Sequence, residues 1–188
     1  FKQKTAYEIP KRDWSSNVCS SDLDHGELFG WQGIFGKKNL YEGGVGVPLA
    51  ICGPGVPQAK VSRQIVSHVD LFPTLVEGAG AKLNDSDASL KGASLWPAIQ
   101  DADAKRLGFA EYHAQGSKAA AYVLRDGDMK LIHHVGMPAQ LFDLAHDPDE
   151  LNDIAALQPA TVDALTTQLR SVCDPEAADA RAKAEDRK

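Results

Sequence analysis

Four short β-like runs between residues 108 and 144 limit the possible folds more than any other feature of the chain. They cover 108–113, 119–125, 129–134 and 140–144. Arg125-Asp126-Gly127-Asp128 fills the gap between the second and third, and Asp-Gly is hairpin chemistry because these residues accept positive φ. An antiparallel meander is expected. From 159 to 173 the apolar residues Val162, Leu165 and Leu169 recur at three and four, which gives an amphipathic helix able to cover one face of that sheet. The end, 174–188, is alanine and charge and reads as a surface helix or a frayed tail.

Upstream of the meander the signals are more irregular. A Gly-rich opening (Gly26, Gly30, Gly33, Gly36, Gly43, Gly44, Gly46) precedes an apolar run over 47–52 bounded by Gly and Pro, which reads as a buried strand. Asp70 then stands before LFPTLVEGAG. An acceptor there can cap a helix starting near residue 71, Pro73 is tolerated in its first turn, and Gly78 and Gly80 offer a stop. Residues 81–103 read as loop, with a turn of helix at 94–99. Residues 1–23 have neither apolar period nor the apolar core of a secretory signal, and read as coil.

Composition excludes several function classes. With 43% hydrophobic and 24% charged residues and no long apolar run, the 188-residue chain reads as a soluble globular one with no membrane partner. It carries 20 Lys+Arg against 26 Asp+Glu, a formal charge of −6, and the basic residues are scattered. No electrostatic footprint for nucleic acid is present. Cys19, Cys52 and Cys173 are odd in number and widely spaced, which fits neither a disulfide framework nor a paired-thiolate zinc site. Compartment and oligomeric state stay open.

Asp24-His25-Gly26-Glu27 is the densest polar cluster, and a carboxylate beside an imidazole can give a divalent cation two ligands from one strand end. Such a dipeptide alone is more often a surface turn. Here it is followed by Gly30, Gly33 and Lys37, then Tyr41-Glu42-Gly43-Gly44 and Val47-Pro48-Leu49. This multi-part spacing resembles the C-terminal metal- and sulfate-binding segment of the sulfatase family. The similarity continues through Val69-Asp70-Leu71-Phe72-Pro73-Thr74-Leu75, Leu141-Phe142-Asp143-Leu144 and Asp147-Pro148-Asp149-Glu150, and so covers nearly all of 24–155. Glu111-Tyr112-His113 and Cys173-Asp174-Pro175-Glu176-Ala177 look most like the choline-sulfatase-like and arylsulfatase-like members. Residues 1–23, by contrast, resemble a translated sequencing-adapter artefact.

The resemblance implies an α/β fold: the C-terminal part of an alkaline-phosphatase-like sandwich plus a small antiparallel subdomain with a covering helix. It implies catalytic core over 24–104 and the subdomain with its charged tail over 105–188, while the adapter likeness implies a non-native extension over 1–23. The implied activity is that of a sulfuric ester hydrolase. A formylglycine made from Cys or Ser in the N-terminal half attacks the sulfur of a small sulfate ester, and a divalent metal holds nucleophile and sulfate oxygens. Asp24 and His25 fall on metal-ligand positions, and Lys37 on the sulfate-binding lysine that stabilises the transition state. Calcium is the family's metal. His25 departs from members with Asn there, and an imidazole suits manganese or zinc better.

The same residues also have plainer readings. Lys37 and Lys38 are adjacent, and the four-residue offset to Tyr41 favours Lys37 as the sulfate ligand. Glu42 reads as stabilising its Gly-rich loop, while Gln32, at a position where relatives often have histidine, is given no role. His113 could be a substrate-side ligand or a packed histidine, and His68, His133, His134 and His146 read as structural. No Cys-x-Pro-x-Arg or Ser-x-Pro-x-Arg run occurs, since Cys52 leads to Val56 and Cys173 to Ala177. The expectation is therefore a C-terminal portion, inactive by itself and weak in metal binding. Alternatives are a phosphonate monoester or phosphodiester hydrolase of the same superfamily, or a non-catalytic anion-binding domain.

Overall fold

The meander is present in the computed structural model, which describes residues 19–21 (backbone only), 24–37, 39–100, 105–113 and 117–185. Strands β3 (Leu107–Tyr112), β4 (Ala121–Asp126), β5 (Met129–His134) and β6 (Gln140–Asp143) pair in chain order, each antiparallel to its neighbour. Asp126 pairs with Met129, and Gly127 between them takes φ +61°, a region open to glycine at little cost. The register sets Phe109 opposite Leu124, Tyr122 opposite His133, and Leu131 opposite Leu141.

Alternation along these strands divides the side chains between two covered faces. On one, Tyr122, Leu124, Leu131 and Leu141 pack against Leu165 and Leu169 of α4 (Pro159–Val172), with Val162 half-buried beside them. This is the covering helix that the Val162, Leu165, Leu169 spacing predicts. On the other face Ala121, Val123, Ile132 and Phe142 pack against Leu40, with Tyr41 and Val45 at the margin. The sheet therefore has no solvated face over its centre. Its second cover is the Gly-rich segment that carries the candidate site.

The C-terminal helix α5 (Pro175–Glu185) is docked rather than frayed. Asp179 accepts the Ala120 N–H at 2.8 Å and the Lys183 ammonium at 2.7 Å, and the Tyr122 hydroxyl donates to the Pro175 carbonyl at 3.2 Å.

The described chain divides into two compact units: one holds 49–63 and 68–100 with β1 (Cys19–Ser21), the other 24–48, 64–67 and 105 onward. In the first unit the apolar run over 47–52 yields a shorter strand, β2 (Ala50–Cys52), whose residues alternate between exposed and half-buried. The buried-strand expectation is corrected. Its described partner is β1, and a two-stranded ribbon has no second layer to bury its faces. The coil reading of 1–23 is corrected at the same place, since residues 19–21 pair with 50–52. Helix α2 (Leu71–Gly78) starts where predicted and stops near Gly80, which has φ +69°. Asp70, however, does not cap it with its side chain. The buried carboxylate instead accepts the Ala93 N–H at 2.9 Å, tying the approach to α3 (Trp96–Ile99) back onto α2. Among the described residues no helix is long and apolar enough to cross a membrane.

Candidate active-site segment

Asp24, His25 and Lys37 come together at one point, and backbone geometry is what brings them there. Gly26 donates its N–H to the Gly44 carbonyl at 2.9 Å. A Cβ on Gly26 would lie 2.1 Å from the Gly43 oxygen, so only glycine allows this crossing of the two strands of the segment. Between them the chain loops through Phe29, Gly30, Gln32, Gly33 and Gly36, all at positive φ, and returns at Lys37. The helical turn α1 (Glu42–Val45) then closes the segment.

At the junction the imidazole of His25 is oriented from both sides. Its Nδ1 lies 3.0 Å from the Gly26 carbonyl, which can only accept, so Nδ1 carries the proton. The Nε2 lone pair is then free to accept, and the Lys37 ammonium donates to it. The Asp24 carboxylate stands 3.4 Å from the same Nε2 and also accepts the His25 N–H at 3.1 Å. Asp24 is 87% exposed and His25 39%, so the cluster faces solvent.

A cation already occupies this corner in the form of the Lys37 ammonium. A carboxylate oxygen and a neutral imidazole Nε2 with its Nδ1–H fixed by a carbonyl make a donor pair suited to a divalent metal. The residues fit two positions of a coordination shell. Among the described residues no group of three or more His, Cys, Asp and Glu converges to complete one, and hard cations require about six ligands.

Beneath this corner lies an ion cluster that the sequence reading resolved only in part. Lys130, fully buried on β5, contacts Glu42 Oε1 at 2.8 Å and Glu150 Oε1 at 2.7 Å. Glu150, also buried, accepts the Glu42 N–H at 2.6 Å, and Arg125 stands 3.6 Å from Glu42 Oε2. Glu42 is thus the loop stabiliser expected of it, with its partners now identified. Gln32, given no role from sequence, donates to the carbonyls of Asp149 and Glu150 at 2.9 and 3.0 Å. The Asp147 carboxylate accepts the N–H groups of Leu151 and Asn152, which fixes the turn that presents Glu150. One signal could have revealed the cluster: Lys130 shares a sheet face with Ile132 and pairs with Phe142, so it lies on an inward-facing row.

His113 is not part of this arrangement. It follows β3 on the face that carries Tyr122 and α4, with Nε2 3.5 Å from Glu111 and its ring edge-on to Tyr122 at 5.4 Å. The 24–45 segment covers the opposite face. Lys38 lies outside the described residues.

The family described as N-sulphoglucosamine sulphohydrolase, C-terminal, matches residues 30–174. The chain belongs to this sulfatase family. An arylsulfatase K of Gallus gallus is 36% identical over 161 residues, covering 79% of this chain and 30% of that protein. A choline-sulfatase of Rhizobium meliloti (strain 1021) is 35% identical over 143 residues, covering 76% and 28%. Among solved structures, a protein in complex with its substrate D-glucosamine-2-N,6-O-disulfate superposes with a TM-score of 0.73 at 27% identity, over 82% of this chain and 33% of that one. The phosphonate monoester hydrolase of Agrobacterium radiobacter gives 0.70 at 28% identity, over 82% and 34%. This sulfatase domain thus shares the alkaline-phosphatase-like fold, and it spans about 30% of the length of the curated relatives it matches.

Proposed function

We propose that this sulfatase domain serves a metal-dependent enzyme that hydrolyses sulfate monoesters of small molecules. The carrying observation is the meeting of the Asp24 carboxylate, the His25 Nε2 lone pair and the Lys37 ammonium in one solvent-facing corner. Asp24 and His25 offer two ligands to a divalent cation, with calcium the family's choice and manganese suited to the imidazole. Such a cation neutralises charge that develops on the transferred group. Lys37, once the His25 lone pair is committed to a cation, is left to place its ammonium on a sulfate oxygen. The covalent nucleophile, a formylglycine, would come from outside residues 24–188, because none of the runs that yield it occurs there.

A second reading, hydrolysis of phosphonate monoesters or phosphodiesters, draws on the likeness to the phosphonate monoester hydrolase. Sulfuryl and phosphoryl groups need similar cationic clamps, so the corner alone serves either. The product of the complete gene should be assayed against an aryl sulfate and an aryl phosphonate monoester. Faster turnover of the sulfate is expected. Preference for the phosphonate establishes the second reading, and no turnover with sulfate binding retained makes the domain a non-catalytic anion binder.

A further inference from the structure

A buried ammonium on a central strand is an expensive choice. An apolar side chain at position 130, between Ile132 and Phe142, would pack without desolvation cost, so stability alone does not account for Lys130. What the cluster provides is geometry. Lys130 Nζ binds one carboxylate from α1 and one from the turn after β6, and the second carboxylate also holds the first amide of α1. From α1 the path to the site is short. Two residues beyond Glu42 the Gly44 carbonyl holds the Gly26 N–H, and the Gly26 carbonyl holds His25 Nδ1, which turns Nε2 toward Lys37. Because the Gly26–Gly43 crossing leaves no room for even a Cβ, a small displacement of α1 must move Gly26 with it.

We propose that Lys130, through Glu42 and Glu150, is a positioning residue that sets the placement of α1 and thereby the orientation of His25 and Lys37. The inference rests on the reading of this corner as the sulfatase's metal- and sulfate-binding edge. The cluster fixes one arrangement of a glycine-rich segment that otherwise has many, and so pre-organises the cationic corner.

The test uses the full chain and two readouts that need neither metal nor sulfate. Hydrogen exchange follows the Gly26 amide relative to the Leu124 amide at the centre of the sheet, and long-range proton–nitrogen NMR follows the His25 tautomer. In Lys130→Met the Gly26 amide should exchange about tenfold faster relative to Leu124, and the single Nδ1–H tautomer should give way to a mixture. If Lys130→Met alone does not fold, Lys130→Met/Glu150→Leu leaves no uncompensated buried charge at Glu150 and should show the same two changes. Leu169→Ala, which weakens the sheet from its α4 face, should move both amides together and keep the tautomer. A Gly26 rate and a His25 tautomer that match those of Leu169→Ala in the cluster variants would overturn the proposal. Unchanged metal content and unchanged aryl sulfate turnover on Asp24→Ala in the product of the complete gene would instead overturn the site reading and leave these readouts standing.

Discussion

Lys37 is committed to the His25–Asp24 corner by its contact with the His25 imidazole. An ammonium aimed at a sulfate oxygen stabilises charge that appears only in the transition state. Its loss costs on the order of 3 kcal/mol, or about a hundredfold in turnover. In the product of the complete gene, Lys37→Ala should therefore reduce kcat for an aryl sulfate about a hundredfold while metal content stays constant. Lys38→Ala should be close to neutral. Steady-state kinetics of the pair decides, and a damaging Lys38→Ala beside a harmless Lys37→Ala would put the assignment one residue out of register. At this scale the sequence was informative through pattern rather than physics. An Asp-His pair and two adjacent lysines carry little by themselves, and only the spacing to Tyr41 and the following glycines distinguishes them. Lys130, Glu42 and Glu150 were harder to read because Glu42 lies 88 residues from Lys130 and 108 from Glu150, and they meet only through the sheet topology. Removing one partner of such a buried pair typically costs about 3–5 kcal/mol, since the other charge is left without compensation.

Strand β5 shows how an element can be legible while its side-chain roles are not. Its limits follow from the Asp-Gly turn and the apolar run, both local signals, and it forms over the predicted residues 129–134. Its final two residues, His133 and His134, are half-buried, and desolvation pushes both imidazoles below their ordinary value near 6.5. The unfolded chain then takes up these protons more readily than the folded one, so their contribution to stability is present above about pH 6.5 and is lost as pH falls through the folded values. The carboxylates of Glu176 and Asp179 are also held low, chiefly by hydrogen bonds from Arg170 and Lys183, and Asp143 chiefly by its bond to His146. Their contributions are lost lower down, below about pH 4. The urea midpoint of the full chain should hold steady from about pH 8 to 7, decline below about 6.5 and decline again below about 4. A midpoint that rises between about pH 7 and 5 would contradict the burial of the two histidines. Asp70 is the contrasting case: an acceptor before a helix is a sound capping signal, but tertiary structure claimed the carboxylate for the Ala93 amide.

Over the whole molecule, the two-unit division places Asp24, His25, Lys37 and the Lys130 cluster in the same unit as the meander. The sheet is thus more than a neighbour of the site. One of its faces is the floor on which the 24–45 segment rests, through Leu40, Tyr41 and Val45. The meander and α4 were legible because periodicity and turn chemistry act over a few residues. The exposure of β2 was not, because an apolar run bounded by Gly and Pro says nothing of how many layers will cover it.

That the 24–45 segment presents a cation-binding corner is tested most directly by titrating paramagnetic manganese into the full chain and following backbone and imidazole NMR signals. The signals of Asp24, His25 and Gly26 should broaden first, and Asp24→Ala should require markedly more manganese for the same effect. Broadening that begins instead at Asp143 and His146, or at Glu111 and His113, while residues 24–26 stay sharp and Asp24→Ala changes nothing, would contradict it.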